Sequence, residues 1–383
     1  MAPRRRPRQP PELMAELIEE ILLRVPPNDP AVLARASAVC KPWCHLLSGA
    51  AFRCRYIAFH QTPTLLGFLH DHHHINTGGA AVLRPRFVPT LTPSPFPHRE
   101  LDGCYHWRVL DCRHGRILLE IPGGEGVNLV VWDFTIRKRH WLPEPPIPLW
   151  HYTAAVLCAT HVCGGYGHLS CHGGPFLVVV AGFDRARNVL VSRLYSSEAG
   201  AWTVTADLRC KYITSRKPSA LIGDDVYFIL VPNDMVLRYS LSTNRLFIMR
   251  PPAEHEVHGG VALVPMEDGS LLGLAGIKYS KLYLWSRNCD PMVSRSPWVQ
   301  CRVVELRTLI PFAYTVEVVG CAERLGTIIV ATDVGVFTVE LKTGRERKVA
   351  EAGEYYTVFP VMSCCFYTPG CGNSKLPSPA EAH

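Results

Sequence analysis

The stretch VVWDFTIRKRHWLPEPP (130–146) sets the architecture. An apolar run ends in the aromatic Phe134, a polar turn follows through Thr135 and residues 137–139, and Trp141 restores apolar character. The same plan returns in VLVSRLYSSEAGAWTV (189–204), VLRYSLSTNRLFIMRPP (236–252) and VFTVELKTGRERKV (336–349). LYLWSRNCDPMVSRSPWVQCRVVEL (282–306) carries it with an insertion. With Phe134, Ser196, Leu241, Trp285 and Leu341 as anchors, the steps are 62, 45, 44 and 56 residues. Steps of about 40–50 residues suit a propeller of four-stranded blades, and longer steps imply insertions. A domain of about 300 residues would hold about six such blades. Each strand before a polar turn is apolar, as expected near a central channel; the residues after it are mixed, as on an outer strand.

Composition agrees with a sizeable folded body. Of 383 residues, 48% are hydrophobic and 19% charged, and the 32 prolines and 29 glycines are spread along the chain as turns between short elements require. The formal charge is +7, of which Arg4, Arg5, Arg6 and Arg8 supply four, leaving +3 (7 − 4) on the rest. So balanced a body is not expected to bind nucleic acid. Arg137-Lys138-Arg139, Arg345 and Arg347-Lys348 fall at hairpin turns, where exposed charge is ordinary. The 15 cysteines are odd in number and irregularly spaced, and MAPRRRPRQPP lacks the apolar core of a secretory signal. Reduced thiols in the cytoplasm or nucleus are therefore expected. No stretch reaches the roughly 18 apolar residues that span a bilayer. The longest such run, FLVVVAGF (176–183), has the length of a buried strand, so no membrane association is expected.

The N-terminal region reads differently. Residues 1–11 form a basic, proline-rich arm, either a nuclear-import signal or nucleic-acid contact, or a solvated disordered tail. Leu13, Leu17, Ile18, Ile21, Leu22 and Val25 then recur at three- and four-residue intervals, a helical period stopped by Pro26-Pro27. Asn28 or Asp29, followed by Pro30, starts a second helix with the stripe Val32, Leu33, Ala36, Val39 and Cys40. Lys41-Pro42 interrupts it, and Trp43, Leu46 and Leu47 make a third short helix closed near Gly49. About 40 residues are too few to bury a satisfactory core alone. They also carry more large apolar side chains than one small core uses, so that surface either meets helices of another chain or packs on the rest of this one.

LMAELIEEILLRVPP (13–27) followed by LARASAVCKPWCHLL (33–47) resembles the F-box. The matching features are Leu13, Glu16-Leu17, Ile21-Leu22, Arg24-Val25-Pro26, Leu33, Ala36-Ser37, Val39-Cys40-Lys41 and Trp43. Met14 stands where that family usually has Pro, and the upstream Pro10-Pro11 is placed to set the helix start instead. The segments VLDCRHGRILLE (109–120), SRLYSSEAGAWTV (192–204), DDVYFIL (224–230), VATDVGVFTVELKTG (330–344) and FPVMSCCFYTP (359–369) resemble the F-box-associated, kelch-like β domain of plant F-box proteins. The resemblance implies an α+β multidomain chain. Its expected parts are a disordered arm (1–11), a three-helix F-box (12–55), a large all-β propeller-like domain (56–370) and a disordered tail (371–383). It also implies a non-catalytic receptor subunit of a Skp-cullin-F-box ubiquitin ligase, without cofactor. Leu13, Leu17, Ile21, Leu22, Val25, Leu33 and Val39 would meet a Skp-family adaptor and, through it, cullin. Trp43 would brace the helices internally, and blade-connecting loops would present an unknown protein substrate for ubiquitination. The alternatives are a non-degradative adaptor-binding scaffold, or a propeller enzyme or sugar-binding module.

Other chemistry has weaker support. Cys158, His161, Cys163, His168, Cys171 and His172 are metal-ligand residue types, but they lack a CxxC pair and finger spacing, and the glycines 164, 165, 167, 173 and 174 mark a loop. His72-His73-His74 reads as a solvated loop before Gly78-Gly79, and Cys364-Cys365 and Cys371 read as buried or free thiols. No metal site is expected. GxSxG, GxxxxGK[ST] and HExxH patterns are absent, and Gly164-Gly165-Tyr166-Gly167 opens no helix.

Overall fold

The computed structural model describes residues 14–27, 30–60, 63–75, 81–91, 94, 96–121, 126–146, 151–159, 173–253, 260–266, 270–289, 296–323 and 325–363. The chain divides into two compact units, a helical one ending near residue 61 and a β one that follows it. The basic arm, Leu13 and the tail lie outside the described residues.

The helical unit holds four helices rather than the expected three: α1 (Ala15–Leu23), α2 (Pro30–Ser37), α3 (Lys41–Ser48) and α4 (Ala50–His60). Helices α1 and α3 end where the sequence indicated, whereas α2 ends at Ser37 and leaves Val39 and Cys40, expected on its stripe, outside the helix. Prolines 26 and 27 follow α1, Pro42 occupies the first turn of α3, and Gly49 caps α3 in an extended conformation. Helix α4 was missed because Arg53, Arg55 and His60 dilute its apolar pattern, although Phe52 and Tyr56 keep an i, i+4 spacing. It carries the helical region past residue 55, the expected boundary. Leu22, Leu23, Leu33, Ala36, Leu47, Phe52 and Tyr56 form this unit's core, with Ile18, Val25, Trp43 and Leu46 packed against it. Helix α4 also satisfies carbonyls at the open end of α1. Tyr56 Oη donates to the Val25 carbonyl at 2.7 Å, and a His60 ring nitrogen lies 2.8 Å from the Leu23 carbonyl. Arg55 pairs with Glu19 and Glu20 across the same contact.

The β unit is a six-bladed β-propeller. The chain enters the first blade through β1 (Thr64–Ile75) and β2 (Ala81–Pro89). The second blade is β3 (Arg108–Arg113), β4 (Arg116–Ile121), β5 (Asn128–Asp133) and β6 (Lys138–Trp141). The third is β7 (His151–Cys158), β8 (Phe176–Asp184), β9 (Val189–Ser196) and β10 (Ala201–Leu208). The fourth has a divided inner strand, β11 (Ile213–Thr214) and β12 (Ala220–Ile222), then β13 (Asp225–Val231), β14 (Met235–Ser240) and β15 (Arg245–Met249). Pro218 lies in the break, where a ladder donor is missing. The fifth is β16 (Val261–Pro265), β17 (Leu271–Lys278), β18 (Lys281–Asn288) and β19 (Val299–Glu305). The sixth is β20 (Val316–Ala322), β21 (Thr327–Thr332), β22 (Gly335–Glu340) and β23 (Glu346–Ala350). Finally β24 (Val358–Ser363) returns to pair antiparallel with β1, giving the first blade the order β2-β1-β24.

Six apolar clusters hold the ring, one between each pair of neighbouring blades. Strand alternation builds them. In β4, Ile117 and Leu119 pack toward the first blade while Leu118 packs toward the third. In β21, Ile328 and Val330 face the fifth blade and Ile329 faces the first. This corrects one expectation. The apolar strands before the polar turns, β5, β9, β14 and β22, are third in their blades, not beside the channel. They are apolar because both faces are covered. The following strands β6, β15, β19 and β23 are the exposed outer ones, as expected.

At the closure β20 approaches β24 at Gly320, where a Cβ would stand 2.7 Å from the Val358 carbonyl oxygen. Gly320→Ala is expected to cost about 1–3 kcal/mol by forcing the strands apart, whereas Gly103→Ala, which meets nothing within 4 Å, is expected to be near neutral. Urea midpoints of the two variants check this. Equal midpoints would remove the close approach from the account.

Candidate functional site

The innermost strands β24, β3, β7, β11 with β12, β16 and β20 contact one another in cyclic order around the axis. Where β3 and β20 end, they leave a cavity of about 90 Å³. Its polar wall centres on Arg113, which is 5% exposed. Nη1 donates to Asp111 Oδ2 at 3.0 Å and to Ser219 Oγ at 3.1 Å. Nη2 donates to the Ser219 carbonyl at 2.9 Å and to Glu323 Oε1 at 2.7 Å, and Nε reaches Glu323 Oε2 at 3.4 Å. All five guanidinium donors are thus used, on the second, fourth and sixth blades. Asp111 Oδ2 also accepts the Val156 amide of the third blade at 2.9 Å. Burial pushes the Asp111 carboxyl up to about 6, against the lowering effect of Arg113. Burial opposes the charge on Arg113, yet Asp111 and Glu323 outweigh it and hold the guanidinium above its ordinary value. Cys112 and Cys321 line the same cavity, and burial drives both thiols upward, so neither is a ready nucleophile.

A second polar group sits at the opposite end of β3. Arg108 pairs with Glu120 and lies over the Tyr152 ring at 5.9 Å, while the Val109 amide donates to Asp71 Oδ1 at 3.0 Å. Burial raises Asp71 to about 6 and lifts the Tyr152 hydroxyl well above its usual value.

The residues expected at an adaptor face separate into two sets. Leu17, Ile21 and Val39 are 46%, 57% and 66% exposed. Met14, Leu17 and Ile21 form a stripe at i, i+3 and i+7 along α1. Leu22 and Leu33 instead lie inside the helices' own core, on the side of α1 next to the exposed stripe, where Ile18 and the half-buried Val25 pack against them. Trp43 packs on this core, as expected. His72-His73-His74 is strand, not loop: the three residues pair with Arg84, Leu83 and Val82 of β2. Of the cysteine–histidine cluster only Cys158, at the end of β7, lies within the described residues, and Cys364, Cys365 and Cys371 lie outside them. Nine described cysteines take part in no disulfide. The basic hairpins are engaged locally. Arg139 lies 5.7 Å from the rings of Trp107 and Trp132, and Arg347 donates to the Thr90 carbonyl at 3.0 Å. No described helix is long and apolar enough to cross a membrane.

The channel group escaped the sequence reading. Its one local signal is Asp111-x-Arg113, two charged residues at alternate positions near the end of β3. Ser219 and Glu323, 106 and 210 residues beyond Arg113, gave none.

No family model matches the chain, and no curated protein matches it. Solved structures resemble it in fold. TolB from Acinetobacter baumannii is 10% identical, with 82% of this chain and 71% of that chain covered and a TM-score of 0.44. A protein from Lactobacillus plantarum is 12% identical over 76% of this chain and 83% of that one, with a TM-score of 0.39. An oligogalacturonate lyase in complex with manganese is 10% identical over 78% and 88%, with a TM-score of 0.35. At such values no activity or ligand is taken from them.

The buried carboxyl gives a signed prediction. Folded Asp111 binds its proton up to about pH 6, whereas the unfolded group releases it near its ordinary value of 3.8. Its contribution to stability is therefore fully present below that lower value and is lost as pH rises through about 6. The loss amounts to up to about 3 kcal/mol, at about 1.4 kcal/mol per pH unit. Urea unfolding from pH 4 to 7 should show a shallower fall for Asp111→Asn than for the parent chain. Equal slopes would mean that Asp111 titrates normally.

Proposed function

We propose that this protein is a substrate-receptor subunit of a Skp-cullin-F-box ubiquitin ligase. In this reading the N-terminal helices are an F-box that docks a Skp-family adaptor, and the propeller is an F-box-associated domain that holds a target protein for ubiquitination. The observation that carries it is the exposed stripe Met14, Leu17 and Ile21, with Val39, on a helical unit whose core is already filled by other residues. Exposed aliphatic side chains at helical spacing are the usual means by which one helix enters an apolar groove between others. A stable interface buries on the order of 1,200–2,000 Å² in total, so both α1 and the segment around Val39 would contribute. The chain itself would be non-catalytic and would act in the cytoplasm or nucleus, where its adaptor and cullin reside.

Leu17→Glu combined with Ile21→Glu should reduce co-purification with a co-expressed Skp-family adaptor at least tenfold, while the propeller's melting temperature stays within about 2 °C of the parent. The substituted residues are exposed, so the change strikes a docking face rather than a core. An intact chain that binds no such adaptor, or a double variant that binds it equally well, would overturn the reading.

A further inference from the structure

The cavity bounded by Arg113 has a chemistry that the receptor reading leaves unused. At about 30 Å³ of liquid volume per water, its roughly 90 Å³ admits about three water-sized groups, the scale of a small polar head with the first carbons of its stem. One side is hydrocarbon, supplied by Leu263, Phe359 and Met362. The other carries Asp111, Arg113 and Glu323, so that the described lining residues sum to a formal charge of −1 (−2 + 1) with His114 neutral. Arg113 has no donor left to offer, since all five are engaged. The group still able to accept is the Glu323 carboxylate, whose side chain is 28% exposed. An anion meets net repulsion here, and a neutral ligand leaves the excess charge in place. A small cation balances it and gains a charge-assisted hydrogen bond.

We propose that the channel cavity binds the head of a small primary alkylamine, its ammonium on Glu323 and the start of its stem toward Leu263, Phe359 and Met362. The binding needs neither adaptor nor ubiquitin, so it stands whether or not the chain is a ligase subunit. A free amine and the side chain of a protein lysine share this chemistry.

Titration calorimetry on the full chain tests it. n-Pentylamine should bind at least tenfold more tightly than pentan-1-ol, and pentanoate should give no heat. Along a series from ethylamine to octylamine, affinity should rise with stem length as added carbons leave water for Leu263, Phe359 and Met362. Glu323→Gln, with folding verified by its melting curve, should weaken pentylamine at least tenfold. Nα-acetyl-lysinamide separates the sources: affinity equal to pentylamine assigns the site to a protein lysine, and tenfold weaker binding assigns it to a free amine. The proposal falls if no amine binds, if affinity ignores stem length, if the alcohol matches the amine, or if a folded Glu323→Gln binds unchanged. The stem-length series uses the parent chain, so it decides the matter even where the variant does not fold.

Discussion

Antiparallel pairing of β24 with β1, from Thr64 opposite Ser363 to His70 opposite Val358, joins strands almost 300 residues apart and converts a row of sheets into a ring. Each blade is apolar on both faces, so each needs two neighbours. In an open row the first and last blades would each expose one face and an unpaired strand edge. The pairing removes both costs at once. It places Phe68 and Val358 against Val319, Ile329 and Val336 of the sixth blade, and it brings β24 beside β20 at Gly320, where a side chain has no room. The loop closed is long, but closure entropy grows only with the logarithm of length, so one buried cluster suffices to offset the increment.

The same strand completes the channel. Phe359, Pro360 and Met362 line the cavity that Arg113 borders on its other side. Arg113 stitches the second, fourth and sixth blades, and Asp111 adds the third. Such a network adds little net stability compared with an apolar filling, but losing one member strands buried charge at a cost of about 3–5 kcal/mol. It therefore fixes how the blades are disposed around the axis more than how strongly they associate. Closure by hydrocarbon and alignment by charge are separate contributions, and the cavity depends on both.

Much of this was legible in the sequence for a physical reason. Hairpin turns between third and fourth strands demand polar residues beside apolar runs, and Phe134, Ser196, Leu241 and Leu341 each fall at such a turn or within a residue of it. Trp285 sits three residues before the end of β18, which blurred the fifth step. The helix stops at Pro26 and Gly49 were equally visible, since proline and glycine act through local backbone geometry. What stayed hidden was set by partners distant in sequence. That Leu22 turns inward while Ile21 turns outward depends on Phe52 and Tyr56 of a helix whose pattern is diluted by basic residues. That Arg113 is a hub depends on Ser219 and Glu323, which no local spacing ties to it. His72–His74 read as loop because histidine has little strand preference, and only their register with β2 reveals the strand.

The central claim is that the last strand holds the propeller shut, and a chain ending at Thr357 measures it most directly. Urea unfolding followed by tryptophan fluorescence should lose its single cooperative transition in that chain, since the cluster around Phe68 and Val358 is opened and the first blade keeps only two strands. A shortened chain that unfolds with the midpoint and slope of the full-length protein would contradict the account.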